Sequence, residues 1–254
     1  MKPFLLSILA VCLLSGCASA PTAVTHAPFK CIKPGTVQAL KLKAVGGIGV
    51  YLPPCYDPQA SRLYPVLYLL PGFGGTSTQW FDYGLATLTD KLILGNEIPA
   101  FMIVTTDNTY DHLKPDQIVT TLIPYIESHY RAGTARRLRS IAGGSLGGAT
   151  AYLLTFQHPA LFSSAGVFGN GLTIGQEAQD EVWLQAIPPS LKPRIFLNSG
   201  EQDPYMLQQA KALIPYLDKY KLPHTEVFTP GNHSNAYWLT NFPQFFRWLA
   251  QDWN

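Results

Sequence analysis

Short, continuous apolar runs separated by helix-length segments constrain this chain more than any other feature. Val66-Leu67-Tyr68-Leu69-Leu70 stops at Pro71-Gly72, and Phe101-Met102-Ile103-Val104-Thr105-Thr106 is similar. Ser140-Ile141-Ala142, Ser164-Ala165-Gly166-Val167-Phe168, Arg194-Ile195-Phe196-Leu197-Asn198 and Thr225-Glu226-Val227-Phe228 follow. Between them, helices are expected from Gln117 to Tyr130 with Asp116 as N-cap, from Leu146 to Gln157 and from about Tyr205 to Tyr220, with a last one ending near Trp248. Strands that do not alternate apolar with polar, each followed by a helix, belong to a mostly parallel sheet with helices on both faces, an α/β fold. Such sheets gather ligands at the carboxyl ends of their strands. Leu40 to Pro54 reads as an antiparallel N-terminal hairpin turning at Gly46-Gly47.

A chain of 254 residues, 47% apolar and only 13% charged, can bury one large core and is not disordered. Its net charge of +2 implies no strongly charged partner. The small cluster Arg136, Arg137 and Arg139 reads as the solvated approach to a strand, not as a nucleic-acid patch. No repeat or second linker follows Phe29, so one domain is expected over residues 29–254.

The N-terminus carries a different message. Lys2 precedes an apolar run from Phe4 to Leu14, too short to span a membrane as a helix. It ends in Leu14-Ser15-Gly16-Cys17, which resembles a bacterial lipobox. That resemblance implies a signal peptide over residues 1–16, lipid on Cys17 and a small, polar, proline-containing tether over residues 17–28. Ala18 in place of Asp implies the outer membrane of the cell envelope, facing periplasm or surface. The other reading is an ordinary secretory signal cut after Ala18-Ser19-Ala20, which Pro21 opposes. Both routes lead to an oxidising compartment. Cys12 leaves with the signal and Cys17 carries lipid, so Cys31 and Cys55 remain as the pair for a disulfide. No histidine stands at ligand spacing from either, and no metal is expected.

Arg139 to Gly148 reads RSIAGGSLGG. Within it, Gly143-Gly144-Ser145-Leu146-Gly147 matches G-x-S-x-G between a strand and a helix. A serine on so sharp a turn is strained, so the residues two before and two after must be small, and Gly143 and Gly147 are. Serine needs a base to take its proton. His233 follows the strand at 225–228 and so lies at a carboxyl end, as Ser145 does; His224 precedes that strand, and His158 ends the helix after the serine. Asp203, after the strand at 194–198, is the expected acid, with Glu201 as runner-up and helix N-capping as the other use of Asp203. An oxyanion hole needs two backbone donors. Leu146 supplies one, and the loop Pro71-Gly72-Phe73-Gly74-Gly75 supplies the other from Phe73, with Gly74 as alternative.

With these residues assembled, the chain resembles the putative-esterase family of α/β-hydrolases, which includes esterase D-like enzymes, feruloyl esterases, siderophore esterases and mycolyltransferases. The stretches that carry the resemblance are VYLPPCYD at 50–57, YPVLYLLPGFGGTSTQW at 64–80, LIPYIESHYR at 122–131, IAGGSLGGATA at 141–151, HPALF at 158–162, SGEQD at 199–203 and GNHSNAYW at 231–238. The resemblance implies the α/β-hydrolase fold and Ser145, Asp203 and His233 as a triad. The chain departs from it in having Pro71 where the family has His, and Cys55 where glycine is common. The expected activity is that of a cofactor-free serine carboxylic-ester hydrolase working through an acyl-enzyme on a small-molecule or sugar-linked ester, as a monomer. An acyltransferase with the same triad, or a noncatalytic binding lipoprotein, are the other readings. Only about two dozen residues between Gly169 and Arg194 are available for a cap, so an open cleft is expected, walled by Phe73, Gly74, Trp80, Tyr237 and Trp238.

Overall fold

The computed structural model describes residues 31–108, 115–172 and 177–253. The signal peptide, Cys17 and the whole tether lie outside the described residues. In chain order the elements are β1 Thr36–Leu42, β2 Gly46–Leu52, β3 Val66–Leu70, α1 Gln79–Asp82, α2 Leu85–Leu94 and β4 Met102–Thr106. Next come α3 Pro115–Gln117, a π-helical turn Ile118–Leu122, α4 Ile123–His129, β5 Arg139–Gly144, α5 Leu146–Gln157 and β6 Ser164–Phe168. The chain then forms α6 Glu177–Ala186, β7 Arg194–Gly200, α7 Pro204–Lys219, β8 His224–Thr229 and α8 Asn235–Leu249.

The eight strands form one sheet in the order β1-β2-β4-β3-β5-β6-β7-β8. β1 pairs antiparallel with β2, and β2 antiparallel with β4; every other pairing is parallel. Every residue of β3, β4, β5 and β6 is buried. Successive strand side chains point to opposite faces, so unbroken burial means that both faces are covered. An aromatic layer from α8 supplies much of that cover: Phe168 meets Phe242 and Phe245 at 5.1 Å each, and Phe196 meets Phe245 at 5.1 Å. Each fully buried ring contributes roughly 1.5–3 kcal/mol of transfer free energy.

Local differences from the sequence expectation have local causes. The hairpin turns at residues 43–45 and not at Gly46-Gly47, which open β2; Gly47 N–H donates to Asp107 Oδ2 at 2.7 Å and so is drawn into the sheet. Asp116 lies inside α3 and does not cap it. The helix expected from Gln117 to Tyr130 is interrupted by the π-turn, because Pro124 at the start of α4 has no N–H for the carbonyl four residues back. Helices α1, α2 and α6 were not anticipated. The bridge Cys31–Cys55 is formed, with Cα atoms 6.0 Å apart.

Candidate active site

The parallel strands place the ends of β3, β5, β7 and β8 along one edge of the sheet. Ser145 stands between β5 and α5 with φ 54° and ψ −124°, a left-handed conformation that costs a non-glycine residue about 1–3 kcal/mol. The surroundings hold it there. Ser145 N–H donates to the Phe168 carbonyl at 2.8 Å, and its own carbonyl accepts from Ala149 at 3.1 Å to start the helix. A Cβ at Gly143 would stand 2.3 Å from the carbonyl carbon of Gly147, and one at Gly147 would stand 2.4 Å from the Leu70 oxygen. The small residues demanded by the turn are therefore both required. Leu146, half-exposed, opens α5, so its N–H has no helical carbonyl to receive it.

Asp203 and His233 arrive from the two strands beyond. Asp203 Oδ2 lies 2.6 Å from His233 Nδ1. Asp203 occupies the N-cap position of α7 but makes no side-chain cap bond. Its carboxylate serves the histidine instead, and the helix end adds favourable positive potential. Asp203, not Glu201, makes this contact. His224 sits at the far end of β8, with Nε2 3.6 Å from Glu226 and 3.9 Å from Asp218, and His158 ends α5. Trp238, packed on His233 at 4.9 Å with rings nearly perpendicular, braces the imidazole from α8. The same indole fills the space that a Cβ on Gly144 would take, 2.5 Å away.

The loop after β3 has a support that sequence reasoning missed. Asn108, almost fully buried, donates from Nδ2 to the Pro71 carbonyl at 2.7 Å. Its backbone carbonyl accepts from Gly74 at 2.8 Å, and its backbone N–H donates to the Gly75 carbonyl at 2.8 Å. Asn108 thus holds the loop on both sides of Phe73, whatever residue stands at 71. The position two residues beyond β4 was the available signal, since a buried asparagine there must spend its amide on backbone.

An open cleft of about 240 Å³ lies over these groups. It is lined by Gly72, Phe73, Gln79, Ser145, His233, Ser234, Asn235 and Trp238. Among the described residues, none between Gly169 and Arg194 lines it. Three expected wall residues are displaced. Trp80 is fully buried, packed with tilted rings at 5.2 Å from Phe242 and 6.2 Å from Trp238, while its neighbour Gln79 faces the cleft. Gly74 turns the loop at φ 75° with its N–H taken by Asn108. Tyr237 is buried outside the lining, with its hydroxyl against the Ser199 carbonyl.

The match to known families decides the lineage. The model of the family described as "Putative esterase" matches residues 106–249, from the end of β4 through α8. The chain belongs to this esterase family. A relative in Xylanibacter ruminicola, endo-1,4-beta-xylanase/feruloyl esterase, is 28% identical over 170 residues, which is 61% of this chain and 22% of that protein. The chain spans less than a third of the length of the curated relatives that it matches, 22% and 30%. Among solved structures, a ferulic acid esterase superposes with a TM-score of 0.76 at 21% identity, covering 88% of this chain and 100% of the other. The feruloyl esterase module from Clostridium thermocellum complexed with sinapinate gives 0.72 at 22% identity, covering 86% and 89%. These likenesses establish the esterase family's fold across the described sheet.

Proposed function

We propose that this member of the esterase family is a serine carboxylic-ester hydrolase. Ser145 Oγ attacks the ester carbonyl while His233 Nε2 takes its proton, and Asp203 holds the imidazole through Nδ1 and stabilises the imidazolium. The N–H groups of Leu146 and Phe73 receive the developing oxyanion. The tetrahedral intermediate collapses, the alcohol leaves with the proton from His233, and an acyl-Ser145 ester remains. Water, deprotonated by the same histidine, then releases the acid. The observation that carries this reading is the Asp203–His233 bond ending in a cleft that also holds a strained, partly exposed serine.

Among the described residues, His233 is the sole ionisable one that lines the cleft, which suits an uncharged ester. Feruloyl and ferulic acid esterases among the relatives, one of them holding sinapinate, support a hydroxycinnamate ester as substrate, its aromatic acid along Phe73. The lipobox-like Leu14-Ser15-Gly16-Cys17 supports an enzyme tethered to the cell envelope by lipid on Cys17. Methyl ferulate and methyl sinapate are the substrates to test. Release of the free acid, abolished by covalent blocking of Ser145 with a fluorophosphonate, is expected. A protein that hydrolyses these and simple esters equally well before and after Ser145 is blocked would overturn the assignment. Labelled palmitate is expected to enter the wild-type chain and not Cys17→Ser; equal incorporation in both would remove the anchor.

A further inference from the structure

The two loops that carry Asp203 and His233 leave adjacent strands and are laced together by their backbones. Glu201 N–H donates to the Thr229 carbonyl at 2.9 Å, and Gln202 N–H to the Gly231 carbonyl at 2.8 Å. A Cβ on Gly200 would stand 2.1 Å from the Gly231 oxygen, so the loops touch with no room between. Directly beneath lies Tyr237, in the first turn of α8, its N–H capped by Ser234 Oγ at 3.2 Å. Its ring fills the space below Gly231, where any Cβ would come within 2.0 Å of it. Its hydroxyl donates to the Ser199 carbonyl at 3.0 Å and pairs with Thr229 Oγ1 at 2.9 Å. Asn198 Nδ2, which donates to the Val227 carbonyl at 2.8 Å, lies 3.5 Å from the same oxygen.

The two principal partners stand at matching positions. Ser199 is four residues before Asp203, and Thr229 is four residues before His233. One buried hydroxyl therefore ties the last turns of β7 and β8 to each other and to the helix that braces His233 through Trp238. We infer that Tyr237 is a positioning residue, whose hydroxyl sets the spacing of the two loops and so the Asp203–His233 hydrogen bond. It touches neither Ser145 nor the cleft. A hydrogen bond tolerates little slack in distance or angle, and a misplacement of about 1 Å can lower a rate about a hundredfold. This inference rests on the triad reading for its effect on rate, but its effect on geometry can be measured without turnover.

The test is Tyr237→Phe, which removes only the hydroxyl, with Thr229→Val as a second variant that removes one partner and spares the ring. Two readouts are used on the full chain. The first is the downfield proton resonance of the Asp203-bound imidazole Nδ1–H. In both variants it is expected to move upfield or to broaden into solvent exchange. The second is ester hydrolysis, with kcat falling about ten- to a hundredfold and KM within about twofold. The double variant should be little worse than Tyr237→Phe alone, since both changes break one network. An unchanged resonance and unchanged kcat in a folded variant, with only thermal stability lowered, would overturn the inference and leave Tyr237 as packing. If the resonance shifts but no variant, nor the wild type, turns over ester, positioning stands and the hydrolase reading falls.

Discussion

Ser145 keeps a backbone conformation that its side chain disfavours because Gly143, Gly147 and the Leu70 carbonyl leave the chain no other path. Gly147→Ala is therefore expected to destabilise by about 1–3 kcal/mol or more, read as a lowered urea midpoint, since the intruding atom meets backbone and not a mobile side chain. A loss under about 1 kcal/mol would mean that the elbow relaxes. Asn108→Ala, by freeing the Pro71 carbonyl, is expected to lower kcat about tenfold or more with KM little changed, because a displaced oxyanion donor is felt in the transition state. Unaltered kcat would show that the loop keeps its shape without the amide. The strained turn at Ser145 and the contact between Asp203 and His233 were legible because residue type and position at strand ends mark them. Asn108 was not, because its role exists only through three contacts with a loop over thirty residues away. Trp80 was misread for the converse reason: a tryptophan beside a site has the same sequence signature whether it faces the cleft or the core.

The central strands were legible to within a residue or two, since unbroken apolar runs leave few alternatives. The edge strand β1 was not fully so: most of its residues are exposed, and no apolar face marks where it begins. Helix α6 was hidden for a related reason, being short and polar except where it packs beside α5 and α7. It carries one costly group. Asp180 is fully buried, and burial, with a smaller push from Glu177 against the hydrogen bond from Tyr152, raises its carboxyl from 3.8 to about 6. A carboxyl whose folded pKa is raised favours the protonated folded state. Its contribution is intact below about pH 4 and is lost as the pH climbs through about 6. Asp180→Asn, neutral throughout, is therefore expected to gain stability relative to wild type between pH 4 and 7 and to hold that gain above. Urea unfolding at pH 4 and pH 8 measures it; a difference independent of pH would contradict the assignment.

At the scale of the molecule, the two edges of the sheet have separate duties. β2 runs against the parallel strands, so the chain leaving it for Cys55 emerges at the edge opposite Ser145, Asp203 and His233. The Cys31–Cys55 bridge, spanning 24 positions, is expected to contribute about 3 kcal/mol to stability and nothing to turnover. Changing both cysteines to serine should lower the urea midpoint and leave kcat intact, whereas a fall in kcat without unfolding would mean that the edges communicate. The paired cysteines and the fold class were readable from sequence because each rests on a count or a period. That Gln79 and not Trp80 lines the cleft was not, because it depends on how α1 packs against α8. The most direct test of the catalytic reading is hydrolysis of p-nitrophenyl acetate and butyrate by the purified protein beside Ser145→Ala. Steady turnover in the wild type with a loss of at least about a thousandfold in the folded variant is the predicted result. Equal rates in the two proteins, or no turnover by a well-folded wild type, would contradict it.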